Sequence, residues 1–151
     1  MIHHGVILAN NMLDNPCFRQ WVGAASYTET NGLTNAQILE KITTQTSSIN
    51  VEMYYENNRV VGFEYDPFDG VVHMNRKFVN TADMVADNLE HEDRGHSLGF
   101  HHYGRFSTSV PYGMNYAYEG CSEQQMLAKG SRQHRPKGLR IQVRKKRKKA
   151  A

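Results

Sequence analysis

What this 151-residue chain lacks narrows its class first. No apolar run approaches 18 residues, so nothing in it reads as a membrane-spanning helix. Only two cysteines occur, Cys17 and Cys121, which is too few and too widely spaced for a disulfide framework. They could pair, but free thiols in a reducing compartment are the expectation. The opening MIHHGVILANNML has neither a basic leader nor a long apolar segment, so a secretory signal is not expected and a cytoplasmic location is. No internal repeat is visible, no aromatic residue follows Tyr118, and no acidic residue occurs in 129–151.

That last absence exposes a charge asymmetry hidden by the net +3. Residues 1–128 hold 7 Lys and Arg against 15 Asp and Glu, a net of −8, whereas residues 129–151 hold 11 basic residues and no acid. The chain therefore reads as one acidic domain, 1–128, followed by a basic tail, 129–151. The final block of Arg144, Lys145, Lys146, Arg147, Lys148 and Lys149 has the character of a phosphate-binding strip acting through counterion release, without base selectivity. A solvated tail is the plainer alternative. The stretch LRIQVR alternates apolar with other residues, as a strand added to a partner would.

Within the acidic part the order of elements is mixed. The segment up to FRQWVG fits a short strand or a helix equally well. TNAQILEKITTQTS predicts a helix capped at Thr34 or Asn35, with Ile38, Leu39 and Ile42 on its apolar face. INVEMYYENNRVVGFEY reads as a β-hairpin turning at Asn57-Asn58. A further strand, VVHMNRKFV, follows the turn DPFDG. From Thr81 to about His96 the pattern is helical, with Asp83 in the first turn and Met84, Val85 and Leu89 as the apolar stripe. Gly99 offers a stop. Residues 103–130 carry turn chemistry and little regular pattern.

The chemistry is concentrated in HEDRGHSLGFHH, residues 91–102. Zinc in hydrolases takes three protein ligands and keeps one position open. Two histidines one helical turn apart supply two ligands, a Glu beside the first serves as general base, and a glycine lets the chain return a third histidine. Here His96, Gly99 and His102 have the HxxGxxH spacing, and SVPYGMNY places Met114 and Tyr116 shortly after. Together these residues resemble the metzincin metallopeptidases. The resemblance spans roughly residues 50–120 and is most specific over 91–116; it extends to small metzincin-like proteins encoded by bacteriophages. It implies a zincin-like α+β fold, with a small twisted sheet, an active-site helix and an irregular C-terminal part. It also implies bound Zn2+, a Met-turn at Met114, a role for Tyr116 at the oxyanion, and an extended peptide lying along the strand near 71–79.

The departure from the family pattern is one residue. In one arrangement an insertion is absorbed by a bulge eased by Gly95, so that His91, His96 and His102 bind zinc and Glu92 is the base. In the other the helix is regular, Glu92 joins His96 and His102 on the metal, and Asp93 is the base. His101 is an alternative third ligand, less favoured by the glycine spacing; His3, His4, His73 and His134 read as structural or surface residues. Two functions are compatible with these features. One is a zinc-dependent peptidase acting on a peptide or protein. The other is a catalytically impaired protein of a phage particle or similar assembly, virion-associated, whose tail contacts nucleic acid or neighbouring subunits.

Overall fold

A computed structural model describes residues 1–44, 48–57, 62–103, 108–127 and 140–144. The fold is mixed α+β. Five helices, α1 (Ile2–Leu13), α2 (Pro16–Ala24), α3 (Asn35–Thr44), α4 (Ala82–Glu92) and α5 (Val110–Leu127), accompany strands β1 (Ser48–Tyr54), β2 (Phe63–Asp66), β3 (Val71–Asn75) and β4 (Arg140–Arg144). None of the described helices is long and apolar enough to cross a membrane.

Local chemistry sets most helix starts. At α3, Thr34 and Gln37 exchange bonds in a capping box: the Thr34 amide donates to the Gln37 side chain at 2.9 Å, and the Gln37 amide donates to the Thr34 hydroxyl at 3.3 Å. Ile38 and Ile42 then face inward. Thr81 caps α4 by accepting the Met84 amide, with Asp83 in the first turn. Val85, Ala86 and Leu89 are buried, but Met84 is 40% exposed and lies off the apolar stripe assigned to it. Asn15 and Pro16 open α2, where the proline needs no amide partner. The ambiguity of the N-terminal segment has a physical source. Helix α1 buries Gly5, Val6, Leu8, Ala9, Asn10, Met12 and Leu13, so apolar residues lie on more than one face and blur the helical period.

The sheet order is β2-β3-β1-β4. The turn at 66–70 connects β2 and β3 as an antiparallel hairpin, in which Asp66 and Asp69 accept the Phe68 and Val71 amides. Strand β1 pairs in parallel with β3, Val51 opposite Val72. The hairpin expected between 49 and 65 is therefore replaced by a β2–β3 hairpin, and residues 58–61, which include Asn58 of its proposed turn, lie outside the described residues. Ile49 and Val51 of β1 are buried, but alternation carries no information about which strand lies alongside. A second correction follows. Strand β3 is flanked on both sides, so an extended peptide cannot add along 71–75; the edge strands of the described sheet are β2 and β4.

Two further expectations are overturned. Residues 110–127, assigned no regular structure, form the longest of the described helices, in which Val110, Met114, Ala117, Tyr118 and Cys121 are buried at helical spacing. Gly113 and Gly120 suggested turns, and Pro111 sits in the first turn, where helices tolerate it. Cys17 and Cys121 are not free thiols: α2 packs beside α5 and the two residues form a disulfide with Cα atoms 5.8 Å apart. With both cysteines paired, no free thiol is left to indicate a reducing compartment. In the basic tail, β4 pairs in parallel with β1, Ile141 opposite Ile49 and Val143 opposite Val51. Arg140–Arg144 of the LRIQVR stretch thus add to this protein's own sheet. Arg144 ends β4, and Lys145, Lys146, Arg147, Lys148 and Lys149 lie outside the described residues. One apolar cluster joins Ile49, Val51, Val72 and Met74 of the sheet to α1, α4 and α5.

Candidate metal centre

Helix α4 ends where the motif begins. The Asp93 amide donates to the Leu89 carbonyl at 2.9 Å, and the Arg94 amide donates to the same oxygen at 3.2 Å, one residue beyond the normal helical reach. That widened last turn accommodates the extra residue. The chain then tightens into a 3-10 turn, His96–Leu98. Gly95 is required at the junction, since a Cβ there would collide with the His91 carbonyl oxygen and the Pro111 ring. Gly99 adopts φ 83°, a left-handed conformation that reverses the chain and returns His102.

The result is convergence. Ring centroids of His91 and His96 are 5.0 Å apart, those of His91 and His102 are 5.6 Å apart, and those of His96 and His102 are 4.8 Å apart. One ring nitrogen of each lies within 4.8 Å of the others, and the three can hold a metal ion. Nε2 of His96 is 3.1 Å from Nε2 of His102. Two nitrogens bound tetrahedrally to one zinc would be about 3.4 Å apart, so the spacing fits shared coordination.

The surroundings fix which nitrogen each ring presents. Asn115 on α5 donates through Nδ2 to the Asp87 carbonyl at 2.9 Å and to its carboxylate at 2.7 Å. Its Oδ1 therefore faces His91 and accepts the Nδ1 proton at 2.6 Å, leaving Nε2 as the free donor atom. The His96 Nδ1 proton goes to the Phe100 carbonyl at 2.9 Å, which likewise frees Nε2. Burial lowers the pKa of His91 to about 4 and also lowers that of His96. Both imidazoles are neutral at physiological pH, as metal ligation needs.

Glu92 lines the same cleft, about 430 Å³ in volume, bordered by Phe63 to Tyr65 of β2 on one side and by His91, His96, His102 and Tyr112 on the other. Its Oε2 accepts the Tyr65 amide at 2.7 Å. Burial, opposed by that bond and reinforced by nearby Glu64, raises its pKa to about 7, a value suited to proton transfer at neutral pH. Asp93 is placed differently. It is buried beside Arg94, 3.1 Å from the guanidinium, and accepts the Ser97 hydroxyl. It lines no part of the cleft. The converging set thus contains His91, and the arrangement with Glu92 as ligand and Asp93 as base has no support in this geometry.

The Met-turn is absent as a turn, because Met114 and Tyr116 both lie on α5. Met114 is wholly buried, while Tyr116 is 41% exposed and does not border the cleft. The tyrosine at the centre is Tyr112, edge-on to His91 at 4.7 Å and 5.3 Å from His102. His101 is exposed on the cleft rim and stands outside the converging set. Tyr112, Asn115 and Asp87 escaped the sequence reading. The available signal was the i, i+3 spacing of Tyr112 and Asn115, visible only once this segment is read as a helix.

Comparison with known proteins gives no match: neither a family model, nor a curated protein, nor a solved structure aligns with this chain.

Proposed function

We propose that this protein is a zinc-dependent peptidase of metzincin-like character. The observation that carries the reading is the convergence of three imidazoles beside a carboxylate with raised pKa, in a cleft bordered by a strand edge. His91, His96 and His102 would hold the metal. Zinc bound there would supply Lewis acidity toward a carbonyl and toward water.

The remaining steps belong to the chain. Glu92 keeps Oε2 on the Tyr65 amide, which leaves Oε1 to take a proton from the attacking water and pass it to the leaving amine. Because the Tyr65 amide points away from β3 toward Glu92, the outer edge of β2 faces the cleft, where an extended peptide adds as a further strand. Tyr112, in the place expected of Tyr116, lines this space and would stabilise the charge that develops on the scissile carbonyl.

Metal analysis of the purified chain, followed by digestion of a peptide library, tests this reading. About one zinc per chain is expected, and Glu92→Gln is expected to retain it while cleavage falls by about 10²–10⁴-fold. Equal cleavage by both proteins removes Glu92 as the base. Zinc without cleavage in either protein assigns the centre a structural role.

A further inference from the structure

The third histidine is held unlike the other two. His91 and His96 sit on helical turns, whereas His102 stands in a segment without regular structure. A ligand on such a segment keeps its place only if something outside the segment pins its backbone.

The pins come from the connection between α2 and α3. Glu29 accepts the Tyr103 amide, immediately after His102, with both carboxylate oxygens at 2.9 and 3.0 Å. Asn31, at φ 53°, donates from Nδ2 to the Gly99 carbonyl at 2.8 Å. From α3 itself, Lys41 donates to the neighbouring Leu98 carbonyl at 2.8 Å. The same connection reaches α5: the Thr28 amide donates to the Thr108 carbonyl at 3.0 Å, and Glu29 forms a β-bridge with Ser109. One short strap therefore ties the His102 segment to the end of the helix that carries Tyr112 and Asn115.

We propose that Glu29 is a positioning residue for the metal centre, setting His102 against His91 and His96 through its two-oxygen hold on the Tyr103 amide. This rests on the reading of the three histidines as a metal site. Charged acceptors make the stronger hydrogen bonds, and this one grips the backbone one residue from the ligand.

Cobalt(II) titrated into the full chain tests the inference, its visible bands reporting the coordination geometry. Glu29→Ala is expected to weaken cobalt binding by about 10–100-fold and to alter those bands. The thermal midpoint of the metal-free protein stays unchanged. Glu29→Gln, whose amide oxygen still accepts the Tyr103 proton, is expected to restore most of the affinity. Wild-type affinity in Glu29→Ala, with affinity lost in His102→Ala, overturns the role of Glu29 and leaves the centre standing. No cobalt binding by the wild type, or undiminished binding by His102→Ala, removes the metal site and the inference with it. Should Glu29→Ala not fold, hydrogen exchange at the Tyr103 amide of the metal-free wild type decides. Protection supports the tether, and exchange at the rate of an unstructured amide overturns it.

Discussion

Helices α4 and α5 flank the same three histidines and differ in almost everything else. Helix α4 ends in His91 and Glu92, has a Thr81 cap with Asp83 behind it, and buries a clear apolar stripe. Helix α5 contributes no ligand. It supplies Asn115, which orients His91, and Tyr112, which lies against two of the rings. It is also fastened to α2 by the Cys17–Cys121 disulfide. The comparison separates donors from supports. Donors must present fixed residue types at fixed spacing, whereas a supporting amide needs only to arrive from a neighbouring element.

The comparison can be broken at several points. The largest effect is expected from the fastening of α5. Replacing Cys17 and Cys121 together by serine opens a loop of 104 residues and should lower stability by about 2–5 kcal/mol, read by denaturant unfolding. A change within error would show that α5 is held by packing alone. Next comes Asn115→Ala, which should weaken metal binding by about 10–100-fold. Tyr116→Phe on the same helix should leave binding unchanged, and equal effects from the two would erase the distinction between facing and outer residues of α5.

A pH-dependent effect concerns α4 alone. Glu90 is fully buried, and burial raises its pKa to about 8, against 4.5 for an ordinary glutamate. Between those values the folded chain holds a proton that the unfolded chain has lost. The stabilising difference is complete below pH 4.5 and is lost as pH rises toward 8, by at most about 1.4 kcal/mol per pH unit. Glu90→Gln should flatten the fall in metal-free stability between pH 5 and 8. An unchanged slope would mean that Glu90 does not govern it.

These contrasts also show what the sequence could reveal. The capping box at Thr34, the Thr81 start of α4 and the His96, Gly99, His102 spacing are local codes, written within a few residues and executed there. The extra residue in HEDRGH was legible as a choice between two arrangements, and the shared Leu89 carbonyl selects His91. Neighbours were not legible. Nothing in β1 specifies that its partners are β3 and β4 in parallel, and nothing around Cys17 points to a residue 104 positions away. Helix α5 was hidden by Pro111, Gly113 and Gly120, although its buried residues recur with helical spacing. Gly113 also leaves room for Tyr27, whose ring a Cβ there would strike. The glycine that resembled a turn is a packing contact.

The central claim is that His91, and not Glu92, completes the metal-binding set with His96 and His102. X-ray absorption on the zinc-loaded chain tests it most directly. The wild type should show three imidazole nitrogens at about 2.0–2.1 Å. His91→Ala should lose one of them, and Glu92→Gln should leave the nitrogen shell intact. A zinc shell unchanged by His91→Ala but altered by Glu92→Gln would contradict the account.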